Sequence, residues 1–170
     1  MNQPLGTRAK WDDAPSSGTR IASLEQGLRY RGYSIEELVE HSNFLEVAYV
    51  VVHGELPLSE QMADMEAILS EASKLDPDLL LWLERIPLNV PAIDVLRLAV
   101  NFFAVADSFD DESDPAFVWN SLLRLLAQLP LVIAARSRLS HGLELLEPLD
   151  SLTYSGHVLW LLTGREPTFV

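Results

Sequence analysis

The sequence contains no cysteine among its 170 residues. Disulfides, thiolate catalysis and thiolate-bound metals are therefore excluded for this chain. Positive charge is also scarce, because 12 lysines and arginines stand against 25 aspartates and glutamates and leave a formal net charge of −13. Such a field repels nucleic acids and anionic membrane surfaces, so we expect neither as a partner.

Recognisable catalytic and cofactor motifs are absent from the sequence as well. There is no phosphate-binding loop, no dinucleotide-binding glycine pattern, no nucleophile elbow and no metalloprotease motif. Acid–base chemistry needs two carboxyl groups in different environments, and no such pair of carboxylates stands out. From the residues alone we predict no catalytic residue, no cofactor-binding residue and no metal ligand.

The first 18 residues lack the apolar core of a signal peptide and are polar and rich in turn-forming residues. We predict a loose tail over residues 1–19, one domain over residues 20–170 and a cytoplasmic location. The most apolar stretch, residues 122–139, still contains Arg124, Gln128, Pro130 and two further arginines. A membrane-spanning helix needs about 20 mostly apolar residues, so this stretch is predicted to be a buried helix.

Helical periodicity dominates the rest of the chain, in which apolar residues make up 48% of the total. Residues 20–33 read as a short extended piece, and no sheet is convincing. Prolines follow the caps at Asp76 and Asp114, and Pro130 predicts a kink inside a long helix. The predicted fold class is all-α with antiparallel neighbouring helices, and the predicted helices cover residues 35–40, 44–53, 60–75, 77–86, 92–106, 115–139 and 151–162.

The first helices carry two capping boxes, Ser34 with Glu37 and Asn43 with Glu46. In this motif the side chains at the cap and at the third helical position bond each other's backbone amides. Ser59 is predicted to cap the third helix.

The four histidines show no spacing of a helical metal pair. His41 and His53 lie near predicted helix ends, where a cation suits the helix dipole, so capping and packing roles are expected. His141 and His157 are expected to be structural, with substrate contact as the alternative.

Two other patterns leave alternatives open. The run DSFDDESD at residues 107–114 invites a calcium site, but it lacks the glycine and the distant glutamate of an EF-hand, so a solvated loop is favoured. Arg29 and Arg31 flank Tyr30 in a turn and could grip a phosphate, although a structural salt bridge is favoured.

The order of several segments carries a family resemblance. Residues 28–57 read LRYRGYSIEELVEHSNFLEVAYVVVHGELP, and this succession of RYRGY, I-x-x-L, F-x-E-V-A-Y and G-x-L-P resembles the start of citrate and methylcitrate synthases. Three later segments follow in the family's order, so the resemblance covers roughly residues 20–167. They are VPAIDVLRLAV at 90–100, LAQLPLVIAARSRLSHG at 126–142 and LDSLTYSGHVLWLLTGREP at 149–167.

The resemblance implies a mostly helical homodimer with a large domain and a smaller domain that closes over the substrates. It implies a transferase of the tricarboxylic acid cycle that condenses an acyl-CoA, usually acetyl-CoA, with oxaloacetate. We expect this chain to be the amino-terminal part of the large domain, lacking the small domain and the later helices. It should bind no cofactor itself, and acetyl-CoA is the family's co-substrate.

The family's substrate histidines and catalytic aspartate lie in motifs after the G-x-x-P turn, whereas this chain ends at Val170. None of those residues can be carried over, so the chain alone is expected to be inactive. Val90, Ala92 and His157 depart from the family's pattern. The alternatives are a non-catalytic dimerising or regulatory paralogue and a decayed gene product without function.

The last two long helices are apolar on more than one face, which monomers rarely tolerate. In the family, helices at these places contribute to the dimer contact. The resemblance therefore implies a homodimer, or pairing with a citrate-synthase-like partner chain. The interface residues expected on this basis are Leu125, Leu129, Val132, Ile133, Tyr154, Val158 and Leu161.

Overall fold

A computed structural model describes residues 19, 21–24, 27–106, 114–149 and 151–168. Within these ranges the regular structure consists of seven α-helices and three two-residue strands, so the predicted all-α fold class is confirmed. The chain divides into two compact units, residues 1–63 and residues 64–170. The predicted tail, residues 1–19, lies almost wholly outside the described residues, and the domain boundary after it stays a prediction.

The first unit begins with a small antiparallel sheet of strands β1 (Ala22–Ser23), β2 (Arg29–Tyr30) and β3 (Tyr33–Ser34), paired in that order. Tyr30 pairs with Tyr33 across a two-residue turn. The expectation of an extended piece without a sheet is thus corrected. Strands of two residues are too short to produce an alternating pattern, so hydrophobic periodicity cannot reveal them.

Helices α1 (Ile35–His41) and α2 (Phe44–His53) follow, each opened by a predicted capping box. At α1 the Ser34 hydroxyl accepts from the Glu37 amide at 3.2 Å, and the Glu37 carboxylate accepts from the Ser34 amide at 3.3 Å. Asn43 and Glu46 form the corresponding pair at α2. Both predicted caps are confirmed, because such local bonds depend only on residues three apart.

Helix α3 (Ser59–Glu71) starts one position earlier than predicted. Its first backbone bond runs from the Met62 amide to the Leu58 carbonyl at 3.0 Å, so Leu58 occupies the cap position and Ser59 is already helical. The side chain of Gln61 accepts from the Leu58 amide at 2.7 Å and takes over the task expected of a polar cap.

The second unit contains helices α4 (Pro77–Arg85), α5 (Ala92–Ala106), α6 (Pro115–Ser140) and α7 (Tyr154–Thr163). Asp76 accepts from the Asp78 amide at 2.7 Å, and Asp114 caps α6 in the same way. Helix α6 continues through Pro130 as one element. Helix α7 begins at Tyr154 instead of the predicted Ser151, because the Thr153 side chain caps it.

Helix α6 is the centre of this unit and contacts α4, α5 and α7. Two clusters of buried apolar side chains form on its sides. The larger cluster joins α4, α5 and α6 and consists of Leu79, Leu83, Val95, Ala99, Phe103, Val132 and Ala135, and the smaller one joins α6 and α7 and consists of Leu131, Ala134 and Leu161.

Helix α5 was expected to be buried on most sides, and this is corrected in part. Val95, Ala99 and Phe103 lie in the core, whereas Ile93 is 56% exposed and Val105 is 82% exposed. A helix packed in this unit against α4 and α6 covers one face only, so its other apolar residues remain accessible within the described residues.

Helix α6 is long and apolar enough to cross a membrane by length and composition alone, and 22% of its most apolar window is buried. One such helix is weak evidence, because the core helix of a soluble protein has the same properties. Val132, Ala135 and the charged Arg136 are all buried on it, which supports the interpretation as a core helix.

Candidate functional site

The turn between β2 and β3 holds Arg31 in a left-handed backbone conformation. Arg31 has φ 51° and Gly32 has φ 92°, and two positive φ values define the type I′ turn that suits a two-residue hairpin. Left-handed backbone is unfavourable for a residue with a side chain, so the contacts of Arg31 must compensate for it.

The guanidinium of Arg31 supplies these contacts at the C-terminal end of α2. Its Nε donates to the Val51 carbonyl at 2.8 Å, and one Nη donates to the Val52 carbonyl at 3.3 Å. Carbonyls in the last turn of a helix have no intrahelical partner, and a cation there also suits the helix dipole. Arg31 therefore closes the end of α2.

Arg29, the other arginine of this turn, donates to the Gly32 carbonyl at 2.8 Å and so braces the hairpin itself. The structural interpretation of Arg29 and Arg31 is thus supported over the phosphate site. The acceptors of their hydrogen bonds are backbone carbonyls, whereas the sequence analysis expected a salt bridge.

Three polar side chains are buried on α6 in the second unit: Gln128, Arg136 and Arg138. Each one donates hydrogen bonds to the backbone of a segment that connects two helices. Burying a polar group without such bonds is unfavourable, so these bonds decide where each side chain can lie.

Arg136 makes the most extensive of these contacts. It is 5% exposed, and its two Nη atoms donate to the carbonyls of Ile86 at 3.3 Å, Pro87 at 2.7 Å and Val90 at 3.3 Å. These carbonyls belong to the loop between α4 and α5. A rigid planar donor group that bonds three carbonyls fixes the course of this loop.

Gln128 plays a similar part for the loop between α3 and α4. Its Nε2 donates to the carbonyls of Ala72 and Lys74, the latter at 2.8 Å. Its Oε1 is buried and has no hydrogen-bond partner among the described residues.

Arg138 differs from the other two because most of its donors remain unused. It is 9% exposed, and its Nε donates to the Glu144 carbonyl in the segment after α6. The guanidinium lines a cavity of about 230 Å³, together with Lys74 and a set of leucines and alanines from the second unit. This cavity is the best-formed concave site in the described part of the second unit.

The histidines have the local roles expected for them at helix ends. His41 is in the last turn of α1, 3.8 Å from the Glu40 carboxylate, and His53 ends α2, stacked on Tyr49 with ring centroids 4.2 Å apart. Burial lowers the pKa of His53, and the nearby Glu55 opposes this shift.

His141 follows α6, and its Nδ1 lies 2.8 Å from the Ser137 carbonyl. His157 lies within α7 and is partly buried. No group of three histidine, aspartate or glutamate side chains able to hold a metal occurs among the residues that were described. Residues 107–113, most of the proposed calcium loop, lie outside the described residues, and Asp114 serves as the cap of α6.

The expected interface residues differ in accessibility. Val132 is fully buried and Leu161 is 4% exposed, so both side chains are occupied by the core of the second unit. Ile133 is 41% exposed. Tyr154 is partly buried, and its hydroxyl donates to the Leu126 carbonyl at 2.8 Å. Leu125, Leu129 and Val158 are also partly buried, and the interface itself stays a prediction.

The carbonyl-binding roles of Gln128, Arg136 and Arg138 were not predicted from the sequence. Their signal was present, since charged and amide side chains inside an apolar helix need buried partners if that helix is not in a membrane. The partners could not be named, because the carbonyls bonded by Arg136 lie 46 to 50 residues away along the chain.

Comparison with known proteins gives a consistent result. A family model described as "Citrate synthase, C-terminal domain" matches residues 12–170. The chain is similar to 2-methylcitrate synthase 2 of Corynebacterium glutamicum, with 34% identity over 88% of this chain and 39% of the relative. It is also similar to citrate synthase 1 of Mycobacterium tuberculosis, with 37% identity over 89% of this chain and 35% of the relative.

Among solved structures, the citrate synthase of Pyrobaculum aerophilum superposes with a TM-score of 0.77 at 23% identity, over 99% of this chain and 48% of that one. This likeness shows the fold. The chain spans 35% to 39% of the length of the two curated relatives named above.

Proposed function

The chain belongs to the citrate synthase family, and from this we propose that it forms part of the helical large domain of an enzyme that condenses an acyl-CoA with oxaloacetate. The observation that carries the proposal is the family match over residues 12–170. The acyl-CoA that we propose is acetyl-CoA, which gives citrate.

The choice of acyl group needs its own test. The relatives include a 2-methylcitrate synthase at 34% identity and a citrate synthase at 37% identity, so similarity alone does not separate the two products. One additional methylene in a substrate changes discrimination by about 10- to 200-fold. A direct comparison of acetyl-CoA with propionyl-CoA therefore resolves the preference.

We propose further that these 170 residues do not catalyse the reaction on their own. The condensation needs a base for the thioester's methyl proton and donors for the oxygen on which charge develops. The buried polar side chains of α6 are directed to the protein's own backbone instead, and Arg136 uses its donors on three loop carbonyls. The chain would then supply a scaffold to residues from elsewhere.

The test is release of free CoA thiol from acetyl-CoA and oxaloacetate. We expect none from the purified chain and release when it is mixed with the product of the neighbouring reading frame, if that product contains the rest of a synthase. A reaction without oxaloacetate controls for simple thioester hydrolysis. Oxaloacetate-dependent release by the chain alone would contradict the scaffold proposal, and an inactive mixture would contradict the enzyme proposal.

As its partner we propose a second copy of the chain or a citrate-synthase-like chain, bound through α6 and α7. Support comes from the 41% exposure of the apolar Ile133 on the buried central helix. Ile133→Asp should weaken association in sedimentation experiments at micromolar concentration. Leu143→Asp, at a position that is 51% exposed and outside these helices, is the matched control. A stable monomer of the unmodified chain without any partner would argue against this assembly.

A further inference from the structure

We propose that the cavity beside Arg138 binds a small aliphatic monocarboxylate, with the carboxylate held by Arg138 and Lys74 and the chain held among leucines. The site lies entirely in the second unit. The proposal does not depend on the proposed function.

The first argument is the unused donor capacity of a buried cation. A guanidinium has five N–H donors, and the described hydrogen bonds of Arg138 use only the Nε donor, toward Glu144. The Nη atoms are not among the fully buried side-chain atoms that lack a partner in the described residues, so they remain accessible from the cavity. Arg136, two positions earlier, has both Nη atoms bonded to carbonyls.

The charges around the cavity favour an anion. Arg138 and Lys74 both line it, and the lining contains one carboxylate, that of Glu147. None of these three side chains forms an ion pair within 4.0 Å with another of the described residues. In a chain with a net charge of −13, two cations that share one concave site form an unusual local excess of positive charge.

The rest of the lining decides which kind of anion fits. It is mainly apolar, with leucines from three parts of the unit, among them Leu75, Leu131 and Leu161. A planar carboxylate matches the paired donors of a guanidinium. A second charge on the ligand would have to lie against leucine side chains, which is unfavourable. These features favour one carboxylate on an aliphatic chain over phosphate or a dicarboxylate.

The size of the cavity limits the length of that chain. Pockets for drug-sized ligands have volumes of about 300–1,000 Å³, and this cavity measures about 230 Å³. The end of α7 also lies beside the guanidinium, since a Cβ atom added at Gly164 would be 3.5 Å from its Nη1. The partial negative charge of that helix end helps to keep Arg138 ionised in its buried position.

The probe for the experiment is hexanoate, titrated into the full chain with methyl NMR detection. We expect saturable binding with shifts at the methyl groups of Leu131 and Leu161. Hexanol keeps the aliphatic chain without the charge, and inorganic phosphate keeps a negative charge without the chain, so both should bind at least tenfold more weakly.

The variants separate recognition by the cavity from general charge effects. Arg138→Gln should weaken hexanoate binding about tenfold or more, because it removes a charged hydrogen-bond donor. Lys74→Gln should weaken it about threefold, since an exposed cation contributes less. The matched control, Arg165→Gln, removes the same charge at an exposed position of the same unit and should leave binding unchanged.

Circular dichroism checks that each variant is folded, and if Arg138→Gln is not, the exposed Lys74→Glu replaces it and should weaken binding more than Lys74→Gln. The proposal is overturned by equal binding of hexanol and hexanoate, by equal binding to the folded cavity variant and the unmodified chain, or by methyl shifts confined to other places. Absence of saturable hexanoate binding would overturn it too.

Discussion

Arg136 and Arg138 are two residues apart on the same helix and equally sequestered, yet their surroundings use them differently. Arg136 donates to three carbonyls of the α4–α5 loop, whereas Arg138 donates to one carbonyl and lines a cavity. In the first unit Arg31 is intermediate, with two carbonyls at the end of α2. The comparison teaches that the number of satisfied donors, and not burial alone, separates a structural arginine from one able to bind a ligand.

If this comparison is correct, replacing Arg136 should have the largest effect on stability. Arg136→Met keeps much of the apolar volume but leaves three loop carbonyls without their donor, so we expect a loss of about 2–4 kcal/mol in the free energy of unfolding. Urea denaturation measures it. Arg165→Met, at an exposed site, is the control and should change little; an equal loss in both variants would refute the interpretation.

Arg31→Asn should have the next largest effect. Asparagine tolerates the left-handed backbone, so the turn can persist while the two bonds to the α2 carbonyls are lost. We expect a loss of about 1–2 kcal/mol in the free energy of unfolding. Faster amide hydrogen exchange in the last turn of α2 should accompany it. Unchanged exchange there would mean that the guanidinium does not close the helix.

Arg138→Met should destabilise the fold less than Arg136→Met, by about 1 kcal/mol, because only one hydrogen bond is lost. The same urea denaturation series tests this order. A loss as large as that of Arg136→Met would show that burial, and not the number of bonded carbonyls, determines the contribution.

Tyr154 extends the comparison to a neutral donor, for which we expect the smallest effect. Its hydroxyl donates to the Leu126 carbonyl at 2.8 Å, and burial raises its pKa above the ordinary value. Because the unfolded chain then loses this proton first, the stability from this group is complete below about pH 10 and declines as the pH rises further.

Tyr154→Phe should therefore lower the free energy of unfolding by about 0.5–1.5 kcal/mol at neutral pH. The difference between the variant and the unmodified chain should shrink as the pH is raised above about 10. Urea denaturation at several pH values measures both effects. A difference that stays constant through the alkaline range would exclude the hydroxyl as its source.

Much of the helical framework could be predicted from local sequence. The caps at Ser34, Asn43 and Asp76 are confirmed, since each depends on side chains and amides within three residues of each other. The two-residue strands escaped prediction because they are shorter than the pattern that reveals a strand. The exposed face of α5 escaped it because composition does not say how many neighbours a helix has.

The sequence by itself determined the all-α class, the helix starts set by local caps and the membership of a family. It also placed polar side chains within the apolar helix α6, where each would need a partner. Only the tertiary structure decided which partners these are, since the acceptors of Arg136 and Gln128 lie some 46 to 56 residues away along the chain. Hydrogen bonds act over about 3 Å in space regardless of sequence separation, so folding alone made Arg136 a clamp and left Arg138 free donors in a cavity.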